Sequence, residues 1–131
     1  MSQDLYQEAI IEELKHPQNK RVLTDAAVSV HETNASCGDD MTVFLKFDAS
    51  GQQIAEVGWQ GSGCAISQAT MSLLSEKITQ MRVSDVLTLQ QSDLEALLGL
   101  EQPIAYGRVK CLLLGLQAVK KSIAHLEQLS M

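Results

Sequence analysis

The sequence predicts an α+β fold: an N-terminal helix, a small three-stranded antiparallel sheet, and further helices packed on one face of that sheet. Three observations carry this expectation. Apolar residues recur at helical spacing before Pro17 and again after Gly63. Between these stretches the apolar period is two, the signature of strands with alternating faces. The resulting order, helix then sheet then helices, is that of an α+β layer architecture.

Each element has its own warrant. Leu5, Ala9, Ile10 and Leu14 mark an amphipathic helix over roughly 4–15, with Ser2 or Asp4 as its cap and Pro17 as its stop. A polar link leads to Val28 and Val30, a short strand with alternating sides. In "MTVFLKFD", Met41, Val43, Leu45 and Phe47 alternate with Thr42, Phe44 and Lys46, giving the second strand. "DASGQQ" is a hairpin turn with Gly51 suited to positive φ. Ala55, Val57 and Trp59 then alternate through the third strand. In "GSGCAISQATMSLLSEKI" the spacing of Ile66, Ala69, Leu73 and Leu74 becomes helical. Ser84-Asp85 and a Ser92/Glu95 capping box announce two short helices, closed by Gly99 and Pro103. The last helix should start near Gly107 or Arg108. Leu112, Leu116, Val119, Ile123 and Leu126 form its apolar stripe, with Gln117, Lys120 and Lys121 on other faces.

A chain of 131 residues, 45% apolar and 20% charged, is long enough for one domain with its own core, taken here as residues 1–131. No apolar run approaches the roughly 18 residues needed to span a bilayer. The polar, acidic "MSQDLYQEAI" lacks the positive region of a signal peptide, so a cytoplasmic protein is expected. A net charge of −6 argues against nucleic acid, which demands basic surface. No run of Lys or Arg suggests a membrane surface. An acidic surface favours solubility and suits a basic partner.

The cysteines are more informative. There are three, Cys37, Cys64 and Cys111, an odd number at wide spacing and a poor disulfide framework. Cys37 lies in the turn "NASCGDD", Cys64 follows Gly61-Ser62-Gly63 at a helix start, and Cys111 falls in the first turn of the last helix after Arg108 and Lys110. All three sit at element ends, where functional groups concentrate. Helix N-termini stabilise thiolates at Cys64 and Cys111. With the Asp39 carboxylate two residues beyond Cys37, these thiols make a ligand set for zinc or an iron–sulfur cluster. Closed structural zinc sites prefer four Cys or His ligands. One carboxylate corner, easier to displace, suits a site that must open.

Other readings of the same residues stand beside this one. "GSGC" also describes a helix cap followed by a packing cysteine. A stand-alone thiol enzyme would use Cys64 or Cys111 as nucleophile and would need His16, His31 or His125 as base. A closed zinc module would serve only to bind a partner.

"NASCGDDM", "GSGCAIS" and "RVKC" occur in the order and approximate spacing of the IscU/SufU family, and the chain resembles its members from the first helix to the last. These proteins, related to the N-terminal part of NifU, are iron–sulfur cluster assembly scaffolds and sulfur acceptors. The resemblance implies that Cys37, Asp39, Cys64 and Cys111 are the metal and cluster ligands, with Asp40 a bystander. It implies that Cys111 is the persulfide acceptor and that the site holds zinc, or iron in a nascent [2Fe–2S] cluster. The implied partners are a cysteine desulfurase of the SufS or IscS type, and apo iron–sulfur proteins or other assembly factors as recipients. The implied state is a monomer or transient dimer.

Several residues depart from the family pattern. Ala35 stands where the family turn usually has proline. Lys110 stands where IscU-type members have histidine, which resembles the SufU type, in which a zinc form works in sulfur transfer. The segment between Cys64 and Cys111 is nevertheless shorter than SufU proteins usually have. "QPIAYGRVKC" shows no proline-rich chaperone motif, so that chaperone is not expected as a partner. Scaffolding and zinc-dependent sulfur transfer both remain open at this point.

Overall fold

A computed structural model describes residues 2–34, 38–100 and 102–129. Its elements in chain order are α1 (Ser2–Lys15), β1 (Val28–Asn34), β2 (Asp39–Phe47), β3 (Ile54–Ser62), α2 (Ala65–Ile78), α3 (Val83–Val86), α4 (Gln91–Leu97), a 3-10 turn (Tyr106–Arg108) and α5 (Val109–Leu129). The strands form one antiparallel sheet in the order β1-β2-β3. The architecture is the expected α+β arrangement. No helix among the described residues is long and apolar enough to cross a membrane.

Strand parity sets the layers. Met41, Val43 and Leu45 on β2 are fully buried against the helices, each burial contributing about 1.5–3 kcal/mol. Their partners across β1 are Glu32, Val30 and Val28, so β1 turns the same parity inward. On β3 the inward set is Val57 and Trp59, as the alternation predicts, but Ile54 is buried and Ala55 is only half-buried. The pairing explains this: Lys46 faces Glu56 while Phe47 faces Ile54. This irregularity skips Ala55 and reverses the phase at the strand's start.

α5 covers β1 and β2, and α2 packs against both α5 and β3. The predicted stripe of α5 holds: Leu112, Leu116, Val119 and Ile123 are buried and Leu126 is half-buried. Packing against two neighbours widens that stripe to include Leu114, Gly115, Ala118 and Ser122. Lys121 bridges to Glu32 of β1. Where α2 and α5 cross, a Cβ on Gly115 would stand 2.5 Å from Met71 Sδ, so glycine permits the close approach.

The α2 face toward α1 and the linker is polar, which apolar periodicity could not reveal. Ser72 Oγ donates to Glu13 Oε1 at 2.7 Å and accepts from the Gln18 amide at 2.7 Å. Ser75 Oγ lies 3.1 Å from Gln18 O and from Asn19 Nδ2. Trp59 Nε1 donates to the same Gln18 carbonyl at 2.8 Å, tying the linker to β3 as well. These bonds satisfy buried polar groups that would otherwise cost about 1–3 kcal/mol each.

Three local expectations are corrected. Leu14 does not join the core: it is 40% exposed although it lies one turn beyond buried Ile10, and at that level α1 meets α2 through Glu13, whose carboxylate accepts from Ser72. The helix α3 starts one residue before the expected Ser84-Asp85 cap, with extended Arg82 at the N-cap. For α4 the box is formed by Gln90 and Asp93, whose Oδ2 accepts the Gln90 amide at 2.8 Å, and not by Ser92 and Glu95. Glu95 instead accepts the Ile104 amide at 2.8 Å and Gln91 Nε2 at 3.2 Å, tethering the segment that leads to α5.

Candidate metal centre

The inward parity of β2 continues past Met41 to Asp39, which is 2% exposed although it is a carboxylate. Asp40, one residue on, points to the outer face. There its Oδ2 accepts from Ser62 Oγ at 2.6 Å and its Oδ1 lies 3.4 Å from His31 Nε2. The Ser62 bond, aided by His31, holds the Asp40 carboxyl below its ordinary range against a smaller desolvation effect. The two adjacent aspartates thus have separate surroundings because strand side chains alternate.

Asp39 meets the start of α2. Its Oδ1 accepts the Cys64 amide at 2.7 Å, and its Oδ2 lies 3.7 Å from Cys64 Sγ. Cys64 is the extended N-cap residue of the helix, and its side chain makes no hydrogen bond to the first-turn amides. Ser67, three residues on, donates to the Cys64 carbonyl at 3.0 Å and sits 3.8 Å from its sulfur. Gly63 makes this docking possible. Its φ is +138°, and a Cβ there would come within 2.7 Å of Asp39 Cγ and 2.8 Å of Asp39 Cα. The glycine therefore seats a carboxylate, in addition to turning the chain.

Cys111 enters from α5 as a fully buried residue in the helix's first turn. Asn34 Nδ2 lies 4.0 Å from its sulfur. Asn34 is itself buried and pairs with Asp39 across the β1–β2 register. One ligand atom each from Asp39, Cys64 and Cys111 falls within 4.8 Å of the others. Three of the four residues singled out in the sequence therefore converge, from β2, α2 and α5. The fourth, Cys37, lies outside the described residues. Asn34 and Ser67 escaped the sequence reading. Their signals were positional: a polar residue at the strand end opposite Asp39, and a serine at i+3 from the capping thiol.

The donor chemistry fits a thiophilic divalent cation. Tetrahedral zinc with Zn–S about 2.3 Å and Zn–O about 2.1 Å sets sulfur and oxygen about 3.6 Å apart. The observed Cys64–Asp39 separation of 3.7 Å agrees. A cation would also offset the cost of burying an ionised carboxylate beside two sulfurs. The histidines offer less to a thiol enzyme. His31 faces Asp40 on the outer face, and His16 stands exposed just past the end of α1, 4.0 Å from Glu12. His125 is exposed late in α5.

An α+β domain with a sulfur-and-carboxylate centre at the meeting of strand and helix ends is the class that fold and geometry define. A family model described as the NifU-like N-terminal domain matches residues 5–130, and the chain belongs to this family. It is 30% identical over 137 aligned positions to the zinc-dependent sulfurtransferase SufU of Bacillus subtilis, a match covering 92% of this chain and 90% of that one. It is 35% identical over 85 positions to the iron–sulfur cluster assembly scaffold protein IscU of Thermotoga maritima, covering 65% and 58% of the two chains. The N-terminal part of a NifU-like protein from Brucella abortus shares the fold, with a TM-score of 0.78 at 18% identity over 95% of this chain and 96% of that one.

Proposed function

We propose that this protein serves iron–sulfur cluster assembly, accepting sulfur from a cysteine desulfurase and scaffolding or relaying it for [2Fe–2S] formation. The observation that carries the reading is the convergence of Asp39, Cys64 and Cys111 within 4.8 Å at the ends of three separate elements. In this reading Cys37 completes the set, and Cys37, Asp39, Cys64 and Cys111 hold zinc or iron. Zinc, when bound, would supply charge that keeps the thiols deprotonated.

The chain's own residues do the rest. Asp39, fixed by the Cys64 amide, places an exchangeable oxygen beside two sulfurs. Cys111 carries the sulfane sulfur, gained by attack of its thiolate on the outer sulfur of a persulfide. Iron and the nascent cluster are cargo, received by the same donors. Apo iron–sulfur proteins or other assembly factors are the recipients.

The test is incubation with a cysteine desulfurase and L-cysteine, followed by mass spectrometry of the alkylated protein. The expected product carries one added sulfur that maps to the site. No gain at any cysteine would overturn the reading. Zinc-dependent sulfur transfer without scaffolding is the second reading. Lys110 beside Cys111 and the 30% identity to SufU favour it. Anaerobic reconstitution with iron and sulfide separates the two, since a stable [2Fe–2S] chromophore supports the scaffold.

A further inference from the structure

The Asp39 carboxylate and the Cys64 and Cys111 sulfurs lie within 4.8 Å of one another. As metal ligands they bring three negative charges, and a divalent cation leaves one of these over before Cys37 is counted. Asp39 and Cys111 are 2% and 0% exposed, so water does little to spread the excess. Donors from the protein must do it. Asp39 has one in the Cys64 amide, at 2.7 Å. Toward Cys111 the chain directs the Asn34 side chain, whose Nδ2 lies 4.0 Å from Sγ. Resting on the metal centre proposed above, we infer that Asn34 is a positioning residue of that centre: its side-chain N–H holds the Cys111 sulfur and draws charge from it when metal is bound.

Placement supports this role. Val28, Val30 and Glu32 share the inward parity of β1, and Asn34 ends that row. It is 8% exposed, and α5 lies over β1. A buried amide where parity suits an apolar side chain costs stability unless it is hydrogen-bonded. Its partner in register is Asp39, so β1 sets the donor at the level of the carboxylate, where the first turn of α5 delivers Cys111. Residue type fits as well. A lysine here would repel the incoming cation, and a carboxylate would add to the excess charge, whereas asparagine offers N–H groups and stays neutral. The 4.0 Å separation is long because a neutral thiol is a weak acceptor. Metal loading makes the sulfur a thiolate, and charge-assisted hydrogen bonds are shorter.

A hydrogen bond to a metal-bound sulfur has two consequences. It fixes the orientation of the ligand, and loss of such an outer partner typically costs about 10–100-fold in metal affinity. It also lowers the energy of the sulfur lone pairs, so an electron moves less readily from sulfur to metal. Sulfur-to-cobalt charge-transfer bands in a cobalt-substituted site report that energy directly.

The probe is cobalt(II), added anaerobically to the metal-free parent and to Asn34→Leu, whose side chain has nearly the same shape and suits the inward face. Loss of the N–H should move the sulfur-to-cobalt bands to longer wavelength. Zinc affinity, read by chelator competition, should fall about tenfold or more. An asparagine that only supported the strand would change the urea midpoint of the metal-free protein and leave the bands in place. Bands at the parental wavelength, or parental zinc affinity, overturn the inference and leave the metal centre standing. A parent with no sulfur-to-cobalt band overturns both. Sulfur uptake from the desulfurase reads the proposed function independently of these bands. A measurement on the parent needs no variant to fold. With NMR-active cadmium bound, the metal should correlate with the Asn34 side-chain amide proton through the Cys111 sulfur, and absence of that correlation also overturns the inference.

Discussion

Replacing Gly63 with alanine challenges the seat of Asp39 directly. The substitution acts twice. The backbone at φ +138° is one that L side chains rarely adopt, a penalty of about 1–2 kcal/mol. The new Cβ would also stand 2.8 Å from Asp39 Cα, a backbone atom held in the sheet that cannot swing aside. Moving Asp39 away breaks its bond to the Cys64 amide, and a hydrogen bond to a charged group contributes about 1.5–3 kcal/mol. The expected loss is therefore about 2.5–5 kcal/mol. With a urea slope of about 2 kcal/mol/M, that lowers the midpoint by about 1.3–2.5 M. Gly99→Ala is the control, because Gly99 has φ +77° and nothing within 4 Å of an added Cβ. It should cost only the backbone penalty, about 0.5–1 M in midpoint. Urea unfolding of both variants gives the comparison, and metal content by plasma mass spectrometry reads the site itself. If Gly63→Ala unfolds with Gly99→Ala and retains parental metal, the account of Asp39's seat is wrong.

Other outcomes follow from the same geometry. Asp39→Asn keeps an acceptor for the Cys64 amide but removes the charge, so zinc affinity should fall at least tenfold in competition with a chromogenic chelator; unchanged affinity would remove Asp39 from the ligand set. Trp59→Phe loses the 2.8 Å bond to Gln18 O and should cost about 1–3 kcal/mol in urea unfolding, because the single Ser75 proton has a shorter acceptor in Ser72 O at 2.7 Å. Asp48, in the β2–β3 turn, has its carboxyl held below its ordinary value mainly by the Ser50 hydroxyl, with the Gln52 and Gln53 amides assisting. A lowered carboxyl stabilises above its unfolded value, about 3.9, and loses that contribution as pH falls through the folded one. Parent and Asp48→Ala should therefore differ in urea midpoint at pH 6 and converge as pH falls through the folded value, and a constant gap would contradict the assignment.

The parts of the fold that were legible are those that repeat. Met41, Val43 and Leu45 announce β2 because each faces the same core, and Leu112 to Ile123 announce α5 for the same reason. The reversed phase at Ile54 was not legible, because a bulge is a decision of the backbone that leaves no residue type behind. The roles of Ser72 and Ser75 were not legible either, since nothing in a serine says that a linker carbonyl or amide will meet it. The Ser92/Glu95 pair satisfied the capping pattern. Yet the cap belongs to whichever residue is extended where the helix starts, and that is Gln90. At the site, residue type and element ends pointed to Asp39, Cys64 and Cys111. Their unequal burial was not legible, because it depends on how α5 lies across the sheet.

The crossing of α2 and α5 at Met71 and Gly115 has a mechanical consequence. α5 behaves as a lever with its fulcrum near the thiol-bearing end, whereas the crossing lies midway along α2. Cys111 stands four residues, about 6 Å, from the crossing, and Cys64 seven residues, about 10 Å, while the far end of α5 extends about 21 Å beyond it. A 5° tilt, taken as an illustrative swing, moves Cys111 by about 0.5 Å and Cys64 by about 0.9 Å, but displaces the distal end of α5 by about 1.8 Å. Tilting of α5 is thus spent mainly at the end remote from Cys111. A partner pressing on the distal end would leave the donor spacing nearly unchanged, whereas one engaging the first turn of α5, at Val109 and Lys110, works on the short arm that holds Cys111.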